Sequence, residues 1–327
     1  MPEWFWSIKL ESLKKKICFR ADAGATIGYG HFVRTLALAD MLKDNFDCIF
    51  YTSEPTPYQI GEMGKVCSFD ALQEETKFET FLDLLEGNEI VVLDNYFFTT
   101  DYQREIKAKG CKLVCIDDMH NKHYVADAVV NHGKPSAEDF DCEPYTKLYL
   151  GESYRLLRKP FLIPPLPRER NNVAVVNMGG ADPYRLTDKI VSLLLQLLLP
   201  YNITVILGDK VFLSKENRKR VTILSRLSAE QMAELFETSA FGIFPASTVS
   251  IEAASRGLPR LTGYQADNQE EGYFKAAANG MFIPLGDLRK VTADNLLSAI
   301  DQLKSINTKV PDYSRVPKNY ILLFESL

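Results

Sequence analysis

The sequence predicts an α/β protein built as two doubly wound, Rossmann-like units facing a common cleft. Three observations carry that expectation. From residue 16 onward, short runs rich in Val, Ile and Leu alternate with helical segments. The alternation stops at Arg158-Lys-Pro-Phe-Leu-Ile-Pro-Pro-Leu-Pro-Arg168, which holds four prolines, and then restarts. The length, 327 residues, suits two domains of roughly 100–200 residues, each with a core of its own.

Taken in order, Lys16–Arg20 reads as a strand and His31–Leu42 as the helix after it. Strand Asp47–Thr52, helix Phe78–Leu85, strand Ile90–Asp94, helix Tyr102–Lys109 and strand Leu113–Asp117 follow. Apolar runs of this kind fit parallel strands covered on both faces. Past the prolines come strand Val173–Asn177, helix Leu186–Leu199, strands Ile203–Leu207 and Val221–Leu224, and helix Ala229–Thr238. Strand Phe241–Phe244, helix Val249–Arg256, strand Pro259–Thr262, helix Glu270–Asn279, strand Met281–Pro284 and helix Ala293–Ile306 complete the second unit. The expected boundaries are residues 16–160 for the first domain, 161–171 for the linker, 172–310 for the second and 311–327 for a tail. Two such units place a ligand between the carboxyl ends of their strands.

Composition narrows the partners. The formal net charge is −5 and the pI about 5.6, which argues against a polyanion such as DNA while leaving room for a local phosphate pocket. The six cysteines form no C-x-x-C pair and read as reduced, buried thiols of a cytoplasmic protein. No apolar run approaches the roughly 18 residues needed for a membrane span, and Met1–Lys16 lacks the pattern of a signal peptide.

The most informative segment is Arg20-Ala-Asp-Ala-Gly-Ala-Thr-Ile-Gly-Tyr-Gly-His31-Phe-Val-Arg34. Gly24, Gly28 and Gly30 make a compact turn from strand to helix. Their spacing is not the dinucleotide fingerprint. A helix start offers unpaired N–H groups and positive dipole density, which should bias a histidine there towards its neutral form. A neutral imidazole near pH 7 can take a proton from water. On residue type alone, a tight turn with His31 as a helix cap explains the pattern equally well.

Ile27-Gly28-Tyr29-Gly30-His31, with Asp22 before it and Arg34 after it, resembles the opening motif of one family. These are the UDP-2,4-diacetamido-2,4,6-trideoxy-β-L-altropyranose hydrolases of pseudaminic acid biosynthesis. Asp94-Asn95-Tyr96, Asp117-Asp118 with Ala126-Asp-Ala-Val-Val-Asn131, and Gly151-Glu-Ser-Tyr154 with Arg158 resemble its later segments in order. The resemblance spans about Lys16 to Pro284 and implies a GT-B type fold related to MurG-like glycosyltransferases. It also implies His31 as the base, Tyr96 as the holder of sugar or water, and substrate contacts from Asp22, Gly28, Gly30 and Arg34.

Three segments after the linker point to the nucleotide. Met178-Gly179-Gly180-Ala-Asp182-Pro183 lies between a strand and a helix that Asp182 can cap, with Pro183 in its first turn. The resemblance places Gly179 and Gly180 on the cleft. Ser247 and Thr248 stand at a helix start able to take a diphosphate without a metal, and Glu252 lies one turn on. In related GT-B enzymes the equivalent acid accepts the ribose hydroxyls. The alternative is that Ser247 only caps and Glu252 is solvated. Asn268 and Gln269 match an Asn-Gln pair of the hydrolases and could offer neutral donors to phosphate or sugar.

His120-Asn-Lys-His123 beside Asp117 and Asp118 has near-metal spacing, but three converging ligands are needed, and no metal or other cofactor is expected. Lys14–Lys16 with Trp4, Phe5 and Trp6 reads as an extension ahead of the first strand rather than a membrane anchor. Three readings remain. They are inverting hydrolysis of a UDP-sugar, glycosyl transfer from the same donor, and nucleotide-sugar binding without catalysis.

Overall fold

A computed structural model describes residues 14–24, 28–133, 136–180, 182–208, 211–265, 267–305 and 309–327. The expected extension with Trp4, Phe5 and Trp6, and Ile27 of the glycine-rich turn, lie outside them.

The first half holds strands β1 (Lys16–Arg20), β2 (Asp47–Ser53), β3 (Ser68–Leu72), β4 (Ile90–Leu93), β5 (Lys112–Ile116), β6 (His123–Tyr124), β7 (Ala128–Asn131), β8 (Asp141–Cys142) and β9 (Lys147–Leu150). Helices α1 (Gly30–Leu42), α2 (Pro57–Met63), α3 (Lys77–Asp83) and α4 (Thr100–Ala108) connect them. Seven strands form one parallel sheet in the order β3-β2-β1-β4-β5-β7-β9, and β6 pairs with β8. The order reverses at β1, where Phe19 lies between Phe50 of β2 and Val92 of β4.

The second half holds β10 (Val173–Val176), β11 (Asn202–Leu207), β12 (Thr222–Ser225), β13 (Phe241–Pro245), β14 (Arg260–Tyr264) and β15 (Ile283–Asp287). Its helices are α5 (Leu186–Gln196), α6 (Lys215–Arg218), α7 (Ala229–Thr238), α8 (Thr248–Ser255), α9 (Asp267–Ala278) and α10 (Ala293–Gln302). This sheet is also parallel, in the order β12-β11-β10-β13-β14-β15, and reverses at β10. Ligands of open α/β sheets bind beyond the carboxyl ends of the strands at such reversals. Here those points are Arg20 to His31 with Asp94 in the first sheet, and Asn177 to Gly180 with Pro245 to Thr248 in the second.

Between the sheets the proline segment makes one short turn, Lys159–Leu162, that buries Phe161 against Phe236 of α7. The expected tail contains a helix, α11 (Val316–Glu325), which returns to the first half. Its Phe324 meets Phe46 edge-on, the fully buried Tyr320 donates its hydroxyl to the Tyr154 carbonyl at 2.6 Å, and it packs along α1. One hydrophobic core therefore runs from Phe19 and Phe50 through Phe161 to Phe236, Phe244 and Tyr320. The two halves share packing that their sequence alternation does not reveal.

Candidate functional site

The first site grows from the reversal at β1. Gly24 and Gly28 close the turn through a pair of backbone bonds, and Gly28 takes φ +76°, which favours glycine. Tyr29 is the N-cap residue and Gly30 opens α1, so His31 sits inside the first turn and is not the cap. Asp94 follows directly on β4 and is completely buried. Its Oδ1 accepts from His31 Nδ1 at 2.7 Å and from Arg34 Nη2 at 2.6 Å. Its Oδ2 accepts from Arg34 Nε at 2.6 Å and Thr35 Oγ1 at 2.7 Å. Burial opposes ionisation of Asp94, but Arg34 and His31 overcome it and hold the carboxyl well below the usual range. An ionised carboxylate only accepts hydrogen bonds, so His31 Nδ1 is the donor in this contact, and in the neutral tautomer that makes it Nε2 is the nitrogen with a free lone pair. Besides the helix dipole, a carboxylate stands in direct contact with the ring.

The network extends to Asp118. Arg34 Nη1 donates to both of its oxygens at 2.8 and 2.6 Å, and Tyr96 donates its hydroxyl to Oδ2 at 3.2 Å. The Tyr96 ring meets the His31 ring edge-on at 4.6 Å, while 45% of the residue stays exposed. Burial first, then Asp118, pushes the Tyr96 phenol up to about 12, so it is a donor at neutral pH. His132, just past β7, approaches Asp118 at 3.9 Å. Burial, then Arg155 and Arg34, holds its imidazole down to about 3.

Asp22 takes a different place from the expected one. Its oxygens accept from Arg20, from Ser53 N at 2.7 Å and from Lys77 Nζ at 3.2 Å, and it is 3% exposed. Its backbone N–H donates to Asn95 Oδ1 at 2.7 Å. It ties the glycine-rich turn to the ends of β1, β2 and β4, and it offers a ligand no open oxygen.

The second site sits at the reversal at β10. Gly179 takes φ +90° and its N–H donates to Asn177 Oδ1 at 2.9 Å. Gly180 lies against Tyr29 of the first half, where an added Cβ would meet the Tyr29 ring at 3.0 Å. The expected helix start is displaced: α5 begins at Leu186, Pro183 precedes it, and Asp182 accepts from Leu186 N and Thr187 N at 2.7 Å each. A carboxylate already occupies that helix end, so it is no receptor for another anion. The α8 end differs. Ser247 is N-cap by position but makes no side-chain capping bond, and the first turn carries no acid. Gly257, at φ +66°, ends that helix. Glu252 is buried, not solvated, and pairs with Arg158 through two bonds of 2.8 Å. Asn268 and Gln269 fall in the first turn of α9, which starts earlier than expected; their side chains lie outside the described set.

His123 is engaged by Asp141 at 2.8 Å and Glu143 at 3.3 Å. Among the described residues no three His, Cys, Asp or Glu side chains converge as metal ligands, and no helix is long and apolar enough to cross a membrane. The reasoning from sequence missed Asp94 and Asp118 as hubs, Thr35, His132, and Arg158 as the partner of Glu252. The position of Asp94 directly after an all-apolar strand, at the carboxyl end, was the available signal.

Solved structures share this architecture across nearly the whole chain. MurG of Acinetobacter baumannii superposes with a TM-score of 0.63 at 13% identity, covering 96% of this chain and 100% of its own. The Phytolacca americana UGT2, solved with UDP-2-fluoro-glucose and pterostilbene, gives 0.59 at 10% identity, covering 97% and 95%. The fold is GT-B. No family model matches the chain. Among curated proteins it is 27% identical over 282 residues to the uncharacterized protein MJ1062 of Methanocaldococcus jannaschii, covering 79% of this chain and 57% of that one. It is 28% identical over 188 residues to the UDP-2,4-diacetamido-2,4,6-trideoxy-β-L-altropyranose hydrolase of Campylobacter jejuni, covering 54% and 65%. It is 23% identical over 306 residues to the Bacillus subtilis spore coat polysaccharide biosynthesis protein SpsG, covering 87% and 88%. The chain thus spans less than two thirds of the length of the first two.

Proposed function

We propose that the chain hydrolyses a UDP-linked amino sugar to free sugar and UDP, with inversion at the anomeric carbon, as a cytoplasmic step of nonulosonic (pseudaminic) acid biosynthesis. The observation that carries this reading is the buried contact of His31 Nδ1 with Asp94, beside the Tyr96 ring, which in the neutral tautomer leaves Nε2 as the base. In this mechanism His31 Nε2 removes a proton from water as the water oxygen bonds to C1. The C1–O bond to the β-phosphate breaks, and the electron pair leaves with UDP. The open N-terminus of α8, with Ser247 and Thr248, receives the charge growing on the diphosphate. Gly179, Gly180, Asn268 and Gln269 complete the nucleotide side, and Gly28, Gly30 and Arg34 shape the sugar side. Glu252 accepts the ribose hydroxyls. No cofactor is needed for this chemistry.

The hydrolase relative supports water as the acceptor. The fold shared with UGT2, solved with both UDP-2-fluoro-glucose and pterostilbene, favours a second reading in which an acceptor hydroxyl replaces water. Incubating the full chain with UDP-sugars, with and without acceptors, and following UDP release separates them. Release without an acceptor is expected. Release only with an acceptor would replace hydrolysis by transfer, and binding without release would leave a nucleotide-sugar-binding protein. EDTA treatment should leave the rate unchanged; a loss that magnesium restores would overturn the metal-free mechanism.

A further inference from the structure

Glu252 belongs to α8, yet its partner comes from the segment that leaves the first sheet. Arg158 Nε donates to Oε1 and Nη2 to Oε2, both at 2.8 Å. The guanidinium lies 5.1 Å from the centre of the Phe161 ring, and Nη2 also meets Met232 Sδ of α7 at 3.2 Å. The Glu252 side chain is 3% exposed and that of Arg158 is 18% exposed. The fields of Tyr58 and Glu62 of α2 and Glu230 of α7 also reach this arginine. An ionised carboxylate has about four acceptor positions, two on each oxygen. A side-on arginine takes one from each oxygen and leaves one on each. Two neighbouring hydroxyls need that many.

We propose that Arg158 is a positioning residue for ribose recognition, fixing the plane of the Glu252 carboxylate so that its remaining acceptor positions meet the two ribose hydroxyls. The inference rests on the UDP-binding reading above. A carboxylate this buried has few ways to orient itself, and the fork geometry of arginine supplies one that lysine cannot reproduce. Ribose recognition in the second half then depends on a side chain from the first. The two sheets must be seated together before the nucleotide is read correctly.

The test is calorimetric titration of the full chain with UDP and with 2′,3′-dideoxy-UDP. Wild type should prefer UDP by about 10–100-fold, the scale of hydrogen bonds to a charged group. Arg158→Met should shrink that preference to about threefold or less. Arg158→Lys, which keeps the charge and serves if the Met variant does not fold, should restore it only in part. In the Glu252→Gln background, Arg158→Met should change nothing further. A wild-type preference surviving in both Arg158 variants would overturn the inference, and so would tighter UDP binding by Arg158→Met, which would make Arg158 a competitor of ribose. Failure of the underlying reading looks different, because wild type would then bind no UDP or both ligands equally.

Discussion

The two reversal points of the molecule are built on opposite electrostatic plans. At β1 nearly every charge is matched inside the protein: Asp94 accepts four bonds, Arg34 spans Asp94 and Asp118, and Asp22 is filled by Arg20, Ser53 and Lys77. At β10 the uncovered group is the α8 end, with no acid in its first turn and no side-chain cap. A site that must hold one imidazole in one tautomer needs saturated, rigid partners. A site proposed to receive a diphosphate needs donors left unpaired. The contrast shows why α5 fails as an anion receptor although its sequence resembles one: Asp182 has taken the place a phosphate would occupy.

The strongest way to break the first plan is Asp94→Asn. Removing one member of a buried ion-pair network costs about 3–5 kcal/mol of stability. The neutral amide also no longer dictates the His31 tautomer, so turnover should fall by about 10²–10⁴-fold. Denaturant unfolding and initial rates measure the two effects, and a stable, active variant would remove Asp94 as the hub. His31→Asn is more selective. It should lose about 10²–10⁴-fold in turnover while UDP affinity stays within about threefold. If UDP affinity fell enough to account for the whole defect, His31 would be a binding residue.

The second plan is tested by Glu252→Gln, which should weaken UDP binding by about 1–3 kcal/mol. Unchanged affinity would take Glu252 out of the nucleotide site. The smallest effect separates the halves by proton linkage. His132 is held at about 3 in the folded chain, mainly by burial, against about 6.5 when unfolded. Below pH 6.5 the unfolded chain binds a proton that the folded chain refuses, so stability is full above that pH and falls on acidification towards pH 3. Between pH 6.5 and 5 the loss should reach up to about 2 kcal/mol, and His132→Gln should abolish it. Equal slopes for the two proteins in urea melts would place His132 in water.

Much of the fold was legible because parallel strands buried on both faces read as apolar runs: strand Lys16–Arg20 coincides with its expected bounds, as does the amphipathic helix Ala229–Thr238, and most other expected elements shift by a few residues. Helix α2 was overlooked although Thr56, Pro57 and Gln59 spell a capping box with proline in the first turn, and the structure shows that box formed. The short strands β6 and β8 carry two residues each, too few for any periodicity. Of the site, the glycine-rich turn and His31 were visible because backbone geometry leaves a local mark. The pairing of Arg158 with Glu252 joins residues 94 apart in sequence, and no pattern in either segment announces it. The role of Asp94 was missed for the same reason, since its partners His31, Arg34 and Thr35 sit on a different element.

Helix α11 has a consequence for how the molecule is made. Tyr320 locks onto Tyr154, 166 positions earlier, and covers a face of the first sheet's helix layer. At ribosomal speeds of about 5–20 residues per second, the first half waits about 10–30 s between synthesis of its own strands and arrival of the helix that seals it. During that interval its apolar surface is open to chaperones and to neighbouring nascent chains. A premature stop codon just ahead of Val316 would leave every strand of both sheets encoded, yet the damage would appear at the other end of the gene product, in the sheet that was translated first.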